Sequence, residues 1–299
     1  MKILVTGSNG LLGQKLTELI LKSGKHELIA TSRGEDRLNA EGYRYYTMDT
    51  CSLDQILEVV QTAKPDVIIH TAAMTNVDQC ELNQDDCFIQ NVFATNNIIE
   101  AANAVDAFLV HLSTDFIFDG QDGPYAEEGK ANPVSYYGET KLEAEKLVIE
   151  KAKHWAIVRT VLVFGIVKDM SRSNIVLWVK DSLTAGKQIK VVDDQWRTPT
   201  LAEDLAMGCL LIAEQKAGGI WNISGEEMLT PYDMAIATAS YFELDQSLIE
   251  RVDSTIFTQP AKRPPRTGFI IEKAKKQLGY EPHSFREGLK LLSEQISSR

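Results

Sequence analysis

Cysteine is scarce in this sequence, and the few cysteines are not spaced for a shared structural role. There are four of them, Cys51, Cys80, Cys87 and Cys209, and no two form a CxxC pair. This spacing argues against a disulfide framework and against a cysteine-based metal site, so we expect reduced thiols in a reducing compartment. The five histidines are equally scattered, and they are His26, His70, His111, His154 and His283. We therefore predict no metal site, and we expect His70 and His111, within apolar strand runs, to be core or sheet-edge residues.

Long apolar runs and an excess of positive charge are also missing. No apolar stretch reaches the length needed to cross a bilayer. The N-terminus, MKILVTGSNGLLG, lacks the basic start of a signal peptide, so we expect a cytoplasmic protein with no membrane partner. Acidic residues outnumber basic ones by 42 to 31, giving a net charge of -11. This balance argues against nucleic-acid binding through a general basic surface, and an anionic substrate would need local arginines or lysines.

What the sequence does contain is a regular alternation of short apolar runs and amphipathic stretches. Strands are predicted at 2–7, 26–32, 43–49, 66–73, 107–114 and 156–165, and helices at 11–24, 52–64 with Ser52 as the cap, about 84–104, and from near Tyr137. This order predicts an α/β fold with a doubly wound parallel sheet of the Rossmann type. Residues 1–165 are predicted to form the dinucleotide-binding domain, with a return at about 188–223. Residues 166–187 and 224–299 are predicted to form a smaller substrate-binding part.

A glycine-rich turn follows the first predicted strand. Gly7, Gly10 and Gly13 form GxxGxxG between that strand and the first helix. Glycines at this spacing allow a tight turn, a close approach of backbone to pyrophosphate, and close packing of helix on strand. The helix N-terminus adds free N–H groups and a partial positive charge. The motif predicts a dinucleotide site, and the alternative is a glycine turn with no ligand.

The end of the second predicted strand bears on the choice between NAD and NADP. An acidic residue there would bind the ribose 2′-hydroxyl, but this chain has TSRGEDR, with Ser32 and Arg33 in that place. The guanidinium of Arg33 suits a 2′-phosphate in charge and shape, so NADPH is predicted, with NADH as the alternative. A solvated loop arginine is the competing interpretation, and Asp36 lies close enough to favour NAD.

Two adjacent tyrosines in SYYGETK (135–141) raise the question of a proton donor. In a helix, Tyr137 and Lys141 lie one turn apart on one face, whereas Tyr136 has no such partner. An ammonium beside Tyr137 is expected to lower its pKa and make it a general acid or base. The spacing alone is weak, because YxxxK arises easily by chance.

The surrounding motifs strengthen this interpretation. LSTDFIFDG (112–120) follows a buried strand, and YGETK comes about 20 residues later. With GxxGxxG, these motifs make the chain resemble the extended short-chain dehydrogenases/reductases, in particular the dTDP-4-dehydrorhamnose reductase branch. The likeness runs through HTAAMTNVDQCE (70–81), VRTVLVFG (158–165), DDQWRTPTLAEDLA (193–206) and KRPPRTGFIIEKAKKQLGYEP (262–282), so it covers nearly the whole chain.

This resemblance implies the residues of a reductase site. Tyr137 would protonate the carbonyl oxygen, Thr114 would hold that oxygen, and Lys141 would hold the nicotinamide ribose. The implied cofactor residues are Gly7, Gly10, Leu11, Leu12, Gly13, Ser32, Arg33, Asp49, Thr50, Ala72, Ala73, Tyr137 and Lys141. For Asp49 the alternative is a helix cap, and for Thr114 a strand-end hydroxyl bonded to backbone. Asn91, early in a long helix, is either functional or a structural asparagine tied to a neighbouring strand.

The implied substrate is a deoxythymidine-diphospho sugar with a ketone at C4, an intermediate of dTDP-rhamnose biosynthesis. Its binding residues are expected to be Thr75, Val77, Asp115, Phe116, Arg197, Arg263 and Arg266. Three residues depart from the branch: Phe116 stands where tyrosine is usual, Leu162 where tryptophan is frequent, and Arg197 where the residue is small. None belongs to the Thr–Tyr–Lys set, but together they leave the identity of the sugar open.

Three functions remain in competition at this stage. The first is NADPH-dependent reduction of a 4-keto-6-deoxy nucleotide sugar, and the second is a reductase or epimerase acting on another nucleotide sugar. The third is a non-catalytic NADP-binding subunit, because the branch also resembles the regulatory subunit of methionine adenosyltransferase. A homodimer fits such folds, although no stripe in the sequence requires one.

Overall fold

The computed structural model of the chain describes residues 1–170 and 173–298. The strands are β1 (Lys2–Thr6), β2 (Glu27–Ser32), β3 (Arg44–Thr47), β4 (Val67–His70), β5 (Phe108–Thr114), β6 (Trp155–Thr160), β7 (Val163–Phe164), β8 (Ile189–Val192), β9 (Thr200–Leu201), β10 (Gly219–Asn222) and β11 (Ile249–Val252). The helices are α1 (Leu11–Ser23), α2 (Leu53–Ala63), α3 (Val77–Leu82), α4 (Gln84–Phe88), α5 (Ala94–Ala104), α6 (Tyr136–Lys151), α7 (Ile175–Thr184), α8 (Ala202–Gln215), α9 (Pro231–Tyr241), α10 (Glu272–Leu278) and α11 (Phe285–Ser297).

Seven strands of the described chain form one sheet in the order β10-β6-β5-β4-β1-β2-β3. Neighbouring strands are parallel throughout. The strand order reverses between β1 and β4, and ligands of doubly wound sheets bind in the crevice at such a point, beyond the carboxyl ends of the strands. The predicted fold class is confirmed.

Both faces of the sheet are covered, which follows from the alternation of side chains along each strand. On β1, Ile3 and Val5 pack with Leu16 and Leu205, under α1 and α8. Leu4, between them, points to the opposite face and belongs to the cluster under α2 and α5. Because both faces are buried, the strands are almost continuously apolar, as the sequence pattern predicted.

The second, smaller part is built around a two-stranded parallel sheet of β8 and β11. Ile189 and Val191 of β8 pack against Val179 of α7 and Ala235 of α9. The return to the large sheet predicted at about 188–223 therefore starts too early, because β8 lies in the small sheet and only β10 joins the large one. The apolar side chains of α7 and α9 supply the surface that β8 covers.

The helix predicted at about 84–104 contains an irregularity. A π-helical turn, Ile89–Phe93, separates α4 from α5. Next to this turn, the Thr95 hydroxyl donates to the carbonyl of Asn91 at 2.6 Å, and such turns are frequent at functional sites. Ser52 occupies the N-cap position of α2 as predicted, but its side chain makes no capping hydrogen bond. Among the described residues, we find no helix whose length and apolar character would let it cross a membrane.

Candidate functional site

A cavity of about 1730 Å³ lies at the carboxyl ends of the large sheet and extends to the small part. The sequence-predicted site residues that line it are Gly7, Gly10, Leu11, Leu12, Gly13, Ser32, Arg33, Asp49, Thr50, Ala72, Ala73, Thr75, Val77, Thr114, Asp115, Phe116, Tyr137, Lys141, Arg197 and Arg263. Arg266 is not among its lining residues. The fold thus brings together the ends of β1, β2, β4 and β5 with the N-termini of α1 and α6.

The glycines of the turn let the chain pass close to itself, because a Cβ atom at Gly7 or Gly13 would meet other protein atoms. Gly7 has φ +66, and a Cβ there would lie 2.9 Å from Thr71 Oγ1. A Cβ on Gly13 would lie 2.2 Å from the carbonyl oxygen of Gly7, so this glycine lets α1 start directly against the end of β1. Gly10 is the N-cap of α1 and supplies no side-chain cap. The first N–H groups of α1 therefore face a cradle that fits a pyrophosphate.

At the far end of the cradle, the loop after β2 presents two arginines. Arg33 Nη2 donates to Gln90 Oε1 at 3.4 Å, and Arg37 Nη1 donates to the carbonyl of Asp169 at 2.8 Å. Both line the cavity. Asp36 is not a lining residue, and its carboxylate accepts a hydrogen bond from Tyr43. The arrangement suits a 2′-phosphate better than a free ribose 2′-hydroxyl.

The question of the two tyrosines has a geometric answer. Ser135 caps α6 by accepting from the N–H of Gly138, so the helix begins at Tyr136. Tyr137 is buried and lines the cavity, as Thr114 does. Tyr136 does not line the cavity, and its backbone N–H donates to Glu81. Tyr137, with Lys141 one turn later, is the tyrosine that faces the site.

The pKa of Tyr137 changes in the opposite direction from the one expected for a tyrosine beside Lys141. Burial raises the pKa of Tyr137 above its ordinary value, and the polar side chain of Thr114 offsets this only in part. Burial lowers the pKa of Lys141 to about 8. The expectation of a lowered tyrosine pKa is therefore wrong, because burial raises it. Lys141 Nζ instead donates to the carbonyl of Leu112 at 2.6 Å, at the end of β5.

A buried network of polar side chains lies next to the site. Asn91 accepts from the N–H of Met74 at 2.8 Å and donates to Thr140 Oγ1 at 3.1 Å. It thus ties the segment after β4 to α6, as expected of a structural asparagine. His70 and His111 are each 1% exposed, and burial lowers the pKa of His70 to about 3. Both histidines are core residues and stay neutral.

On the substrate side, the predicted cations have different environments. Arg263 lines the cavity and forms a bidentate pair with Asp78, at 3.1 and 2.7 Å, which fixes the guanidinium. Arg197 is buried, and its guanidinium donates to backbone carbonyls. Arg266 lies outside the cavity with its guanidinium 5.8 Å above the Trp196 ring. Its predicted role in binding substrate finds no support in this position, because the stacking contact directs it away.

The wall beside the tyrosine is apolar. Phe116 meets Tyr137 edge to face, with ring centroids 5.8 Å apart. Leu162 lines the cavity and has φ 36, an uncommon backbone conformation for a side chain other than glycine. Strained residues of this kind concentrate at binding sites. All three positions at which the chain departs from the resembled branch, Phe116, Leu162 and Arg197, therefore line the cavity.

Sequence reasoning missed several residues that line the cavity. They are Asn9, Arg37 and Gln90 near the glycine turn, and Trp178, Lys190, Phe257 and Gln259 in the smaller part. Arg37 could have been found, since it is a second cation four residues after Arg33. Trp178 and Phe257 carried no signal, because α7 and the segment after β11 meet the cavity only through the tertiary fold.

Comparison with known proteins gives the same picture along the whole chain. A family model, RmlD substrate binding domain, matches residues 1–298. The dTDP-4-dehydrorhamnose reductase of Aggregatibacter actinomycetemcomitans is 29% identical over 304 residues, covering 97% of each chain. The methionine adenosyltransferase 2 subunit beta of Xenopus tropicalis is 31% identical over 271 residues, 89% of this chain and 78% of that one.

A solved structure agrees in fold as well as in sequence. The dTDP-4-dehydrorhamnose reductase of Bacillus anthracis str. Ames, in complex with NADP, superposes with a TM-score of 0.84 and 28% identity, over 98% of this chain and 99% of that one. The family match spans the large sheet, the cavity and the smaller part together. The chain belongs to the RmlD substrate-binding domain family.

Proposed function

We propose that the protein is an NADPH-dependent reductase of the C4 ketone of a deoxythymidine-diphospho-6-deoxy-4-keto sugar. The observation that carries this proposal is the meeting of Thr114, Tyr137 and Lys141 in one cavity with the glycine turn. These three side chains come from the end of β5 and from one face of α6. The named relatives support the substrate class, since one is a dTDP-4-dehydrorhamnose reductase over its full length.

The residues present fit a dinucleotide phosphate. The glycine turn lines the cavity at the N-terminus of α1, where pyrophosphate would bind, and Arg33 and Arg37 line the part that would receive a 2′-phosphate. When bound, NADPH supplies the hydride. Lys141 would hold the hydroxyls of the nicotinamide ribose. Arg33 would hold the 2′-phosphate by charge-assisted hydrogen bonds.

The protein's own contribution to the reaction is a proton and a preorganised oxygen site. Tyr137 holds its phenolic proton because burial raises its pKa, and it would deliver that proton to the carbonyl oxygen. Thr114, which lines the same cavity, would hold the same oxygen. A raised tyrosine pKa keeps the phenol protonated at neutral pH, so the proton that reduction requires is present. Arg263, held in place by Asp78, would receive the diphosphate.

The first test is substrate-dependent oxidation of NADPH, followed by the absorbance of the reduced nicotinamide. Enzymatically generated dTDP-4-keto-6-deoxy-L-sugar should support turnover by the wild-type protein. A matched set of UDP-linked ketosugars tests the alternative function, that of a reductase or epimerase acting on another nucleotide sugar. Turnover with none of these substrates, despite tight NADPH binding, would overturn the proposal.

Replacing Arg33 by serine should raise the KM for NADPH about tenfold and leave the KM for NADH nearly unchanged. The tenfold rise corresponds to the loss of one charge-assisted hydrogen bond to the 2′-phosphate, while Arg37 remains in place. Arg44→Ser is the matched control, because Arg44 is an exposed arginine of β3 paired with Glu27 outside the cavity. An equal rise for both cofactors would show that Arg33 does not contact the 2′-phosphate.

A second candidate is an NADP-binding subunit of a methionine adenosyltransferase. The observation that favours it is 31% identity to the subunit beta named above, as high as to the reductase. An intact Thr114, Tyr137 and Lys141 does not separate the two functions. Stable co-purification of the protein with a methionine adenosyltransferase, without turnover of any ketosugar, would select this candidate.

A further inference from the structure

Arg197 is the most deeply buried arginine of the cavity, and its contacts are with the protein itself. Its side chain is 4% exposed. Nη2 donates to the carbonyl of Pro264 at 2.7 Å, and Nη1 donates to those of Trp196 at 2.7 Å and Pro265 at 3.3 Å. Nε lies 3.7 Å from the carboxylate of Asp115. Three of the five guanidinium N–H groups thus bond to backbone carbonyls, and Nε faces the Asp115 carboxylate.

The segment that Arg197 holds is also bonded through its backbone, since the Trp196 N–H donates to the Pro265 carbonyl and the Thr267 N–H donates to the Trp196 carbonyl. Pro264 and Pro265 have no N–H groups, so they can be anchored only through their carbonyl oxygens. The segment also presses against the loop after β5, where a Cβ on Gly120 would lie 2.8 Å from the nitrogen of Pro265. Arginine suits this place because its planar fork spans neighbouring acceptors, which a lysine ammonium cannot do.

The same segment is connected to the catalytic threonine. The Thr267 hydroxyl donates to Asp115 Oδ2, and Thr114 Oγ1 donates to Asp115 Oδ1 at 3.2 Å. Asp115 is 2% exposed and would be a buried unpaired carboxylate without Arg197 and Thr267. The contacts therefore form one chain, from the proline carbonyls through Arg197 and Asp115 to Thr114.

We propose that Arg197 is a positioning residue and not a diphosphate ligand. It holds Asp115 against residues 264–267, and Asp115 in turn holds the hydroxyl of Thr114. The kinetic part of this inference rests on the proposed reductase function. Arg263 is oriented separately by Asp78, so loss of Arg197 should disturb the placement of the Thr114 hydroxyl more than the binding of the nucleotide.

The test compares Arg197→Met and Arg197→Lys with wild type and with Arg286→Met, a control at an exposed arginine of α11. In Arg197→Met, kcat should fall between about tenfold and about a hundredfold, since a small misplacement of a reacting group costs that much. The Kd for dTDP alone should change less than about threefold, because no phosphate contact is lost.

Backbone amide exchange of the cofactor-free protein gives a readout that needs no activity. The N–H of Trp196 donates to Pro265, and the N–H of Thr267 donates to Trp196, so both amides report on the segment. Both should exchange faster in Arg197→Met and in Arg197→Lys, and at the wild-type rate in the control. If Arg197→Met does not fold, Arg197→Lys, which keeps the charge beside Asp115, carries the same test.

The outcomes separate the alternatives. Unchanged exchange at Trp196 and Thr267, with a large loss of dTDP affinity, would make Arg197 a direct phosphate ligand and overturn the inference. Faster exchange in a protein whose wild type reduces no ketosugar would support the positioning contacts while the reductase function fails. Faster exchange with unchanged kcat in an active enzyme would overturn the link from Arg197 to Thr114.

Discussion

Tyr137→Phe should bind NADPH with wild-type affinity and lose at least about a hundredfold in turnover of the ketosugar. The reason is that the substitution removes one group, the phenolic proton donor, and general acid catalysis contributes about 10² to 10⁴ in rate. The ring itself remains and keeps its edge contact with Phe116. Fluorescence titration with NADPH and stopped-flow oxidation of NADPH separate the two quantities.

Tyr136→Phe is the matched control for this experiment. Tyr136 is the adjacent residue of the same helix turn, it does not line the cavity, and the substitution makes the same chemical change. Its turnover should stay within about twofold of wild type, as for most surface changes away from a site. If Tyr137→Phe retained full turnover, Tyr137 would have no part in the mechanism. Equal losses in both variants would point to a disturbed helix start.

The pH profile provides a second check on the same pair. Because the pKa of Tyr137 is raised, its proton remains in place across the neutral range and beyond. Lys141 has a pKa of about 8, so its ammonium is present below that pH and is lost as the pH rises through it. The rate of reduction should therefore fall above about pH 8. Lys141→Met should be slower and should lack this falling limb.

The parts of the fold that sequence patterns predicted are those set by local rules. A buried strand followed by glycines and an amphipathic helix is a local pattern, and it led to β1, α1 and the cradle between them. The YxxxK spacing likewise follows from helix geometry alone. Once the parallel order of the strands is known, the ends of β1, β2, β4 and β5 must meet at one edge.

The parts that could not be predicted depend on contacts between distant segments. The two arginines Arg197 and Arg266 both carried a predicted role in binding substrate. Arg197 is buried by proline carbonyls 67 and 68 positions away, whereas Arg266 stacks on Trp196 outside the cavity. The predicted direction of the change in the Tyr137 pKa was wrong for the same reason, since the depth of burial at a position is a property of the whole fold.

Gly13→Ala is the other change with a large expected effect, and local and tertiary rules predict opposite results for it. Gly13 lies within α1, where alanine is favoured over glycine by about 1 kcal/mol on helix propensity alone. The added Cβ would, however, lie 2.2 Å from the Gly7 carbonyl oxygen and 2.6 Å from Ser8 Cα, which are backbone atoms. Either α1 moves away from β1 or the turn deforms.

The obstructing atoms belong to the backbone of the cradle itself. The steric cost of the added Cβ should therefore exceed the gain in helix propensity. We expect Gly13→Ala to lose about 1–3 kcal/mol of unfolding free energy through overpacking and to weaken NADPH binding at least about tenfold. Gly24→Ala, at the other end of α1, places its Cβ in open space at φ +62. It should lose about 1–2 kcal/mol through backbone strain and keep its NADPH affinity. Urea unfolding and cofactor titration of both variants distinguish a damaged cradle from a helix that is merely less stable, since only the former couples lost stability to lost affinity.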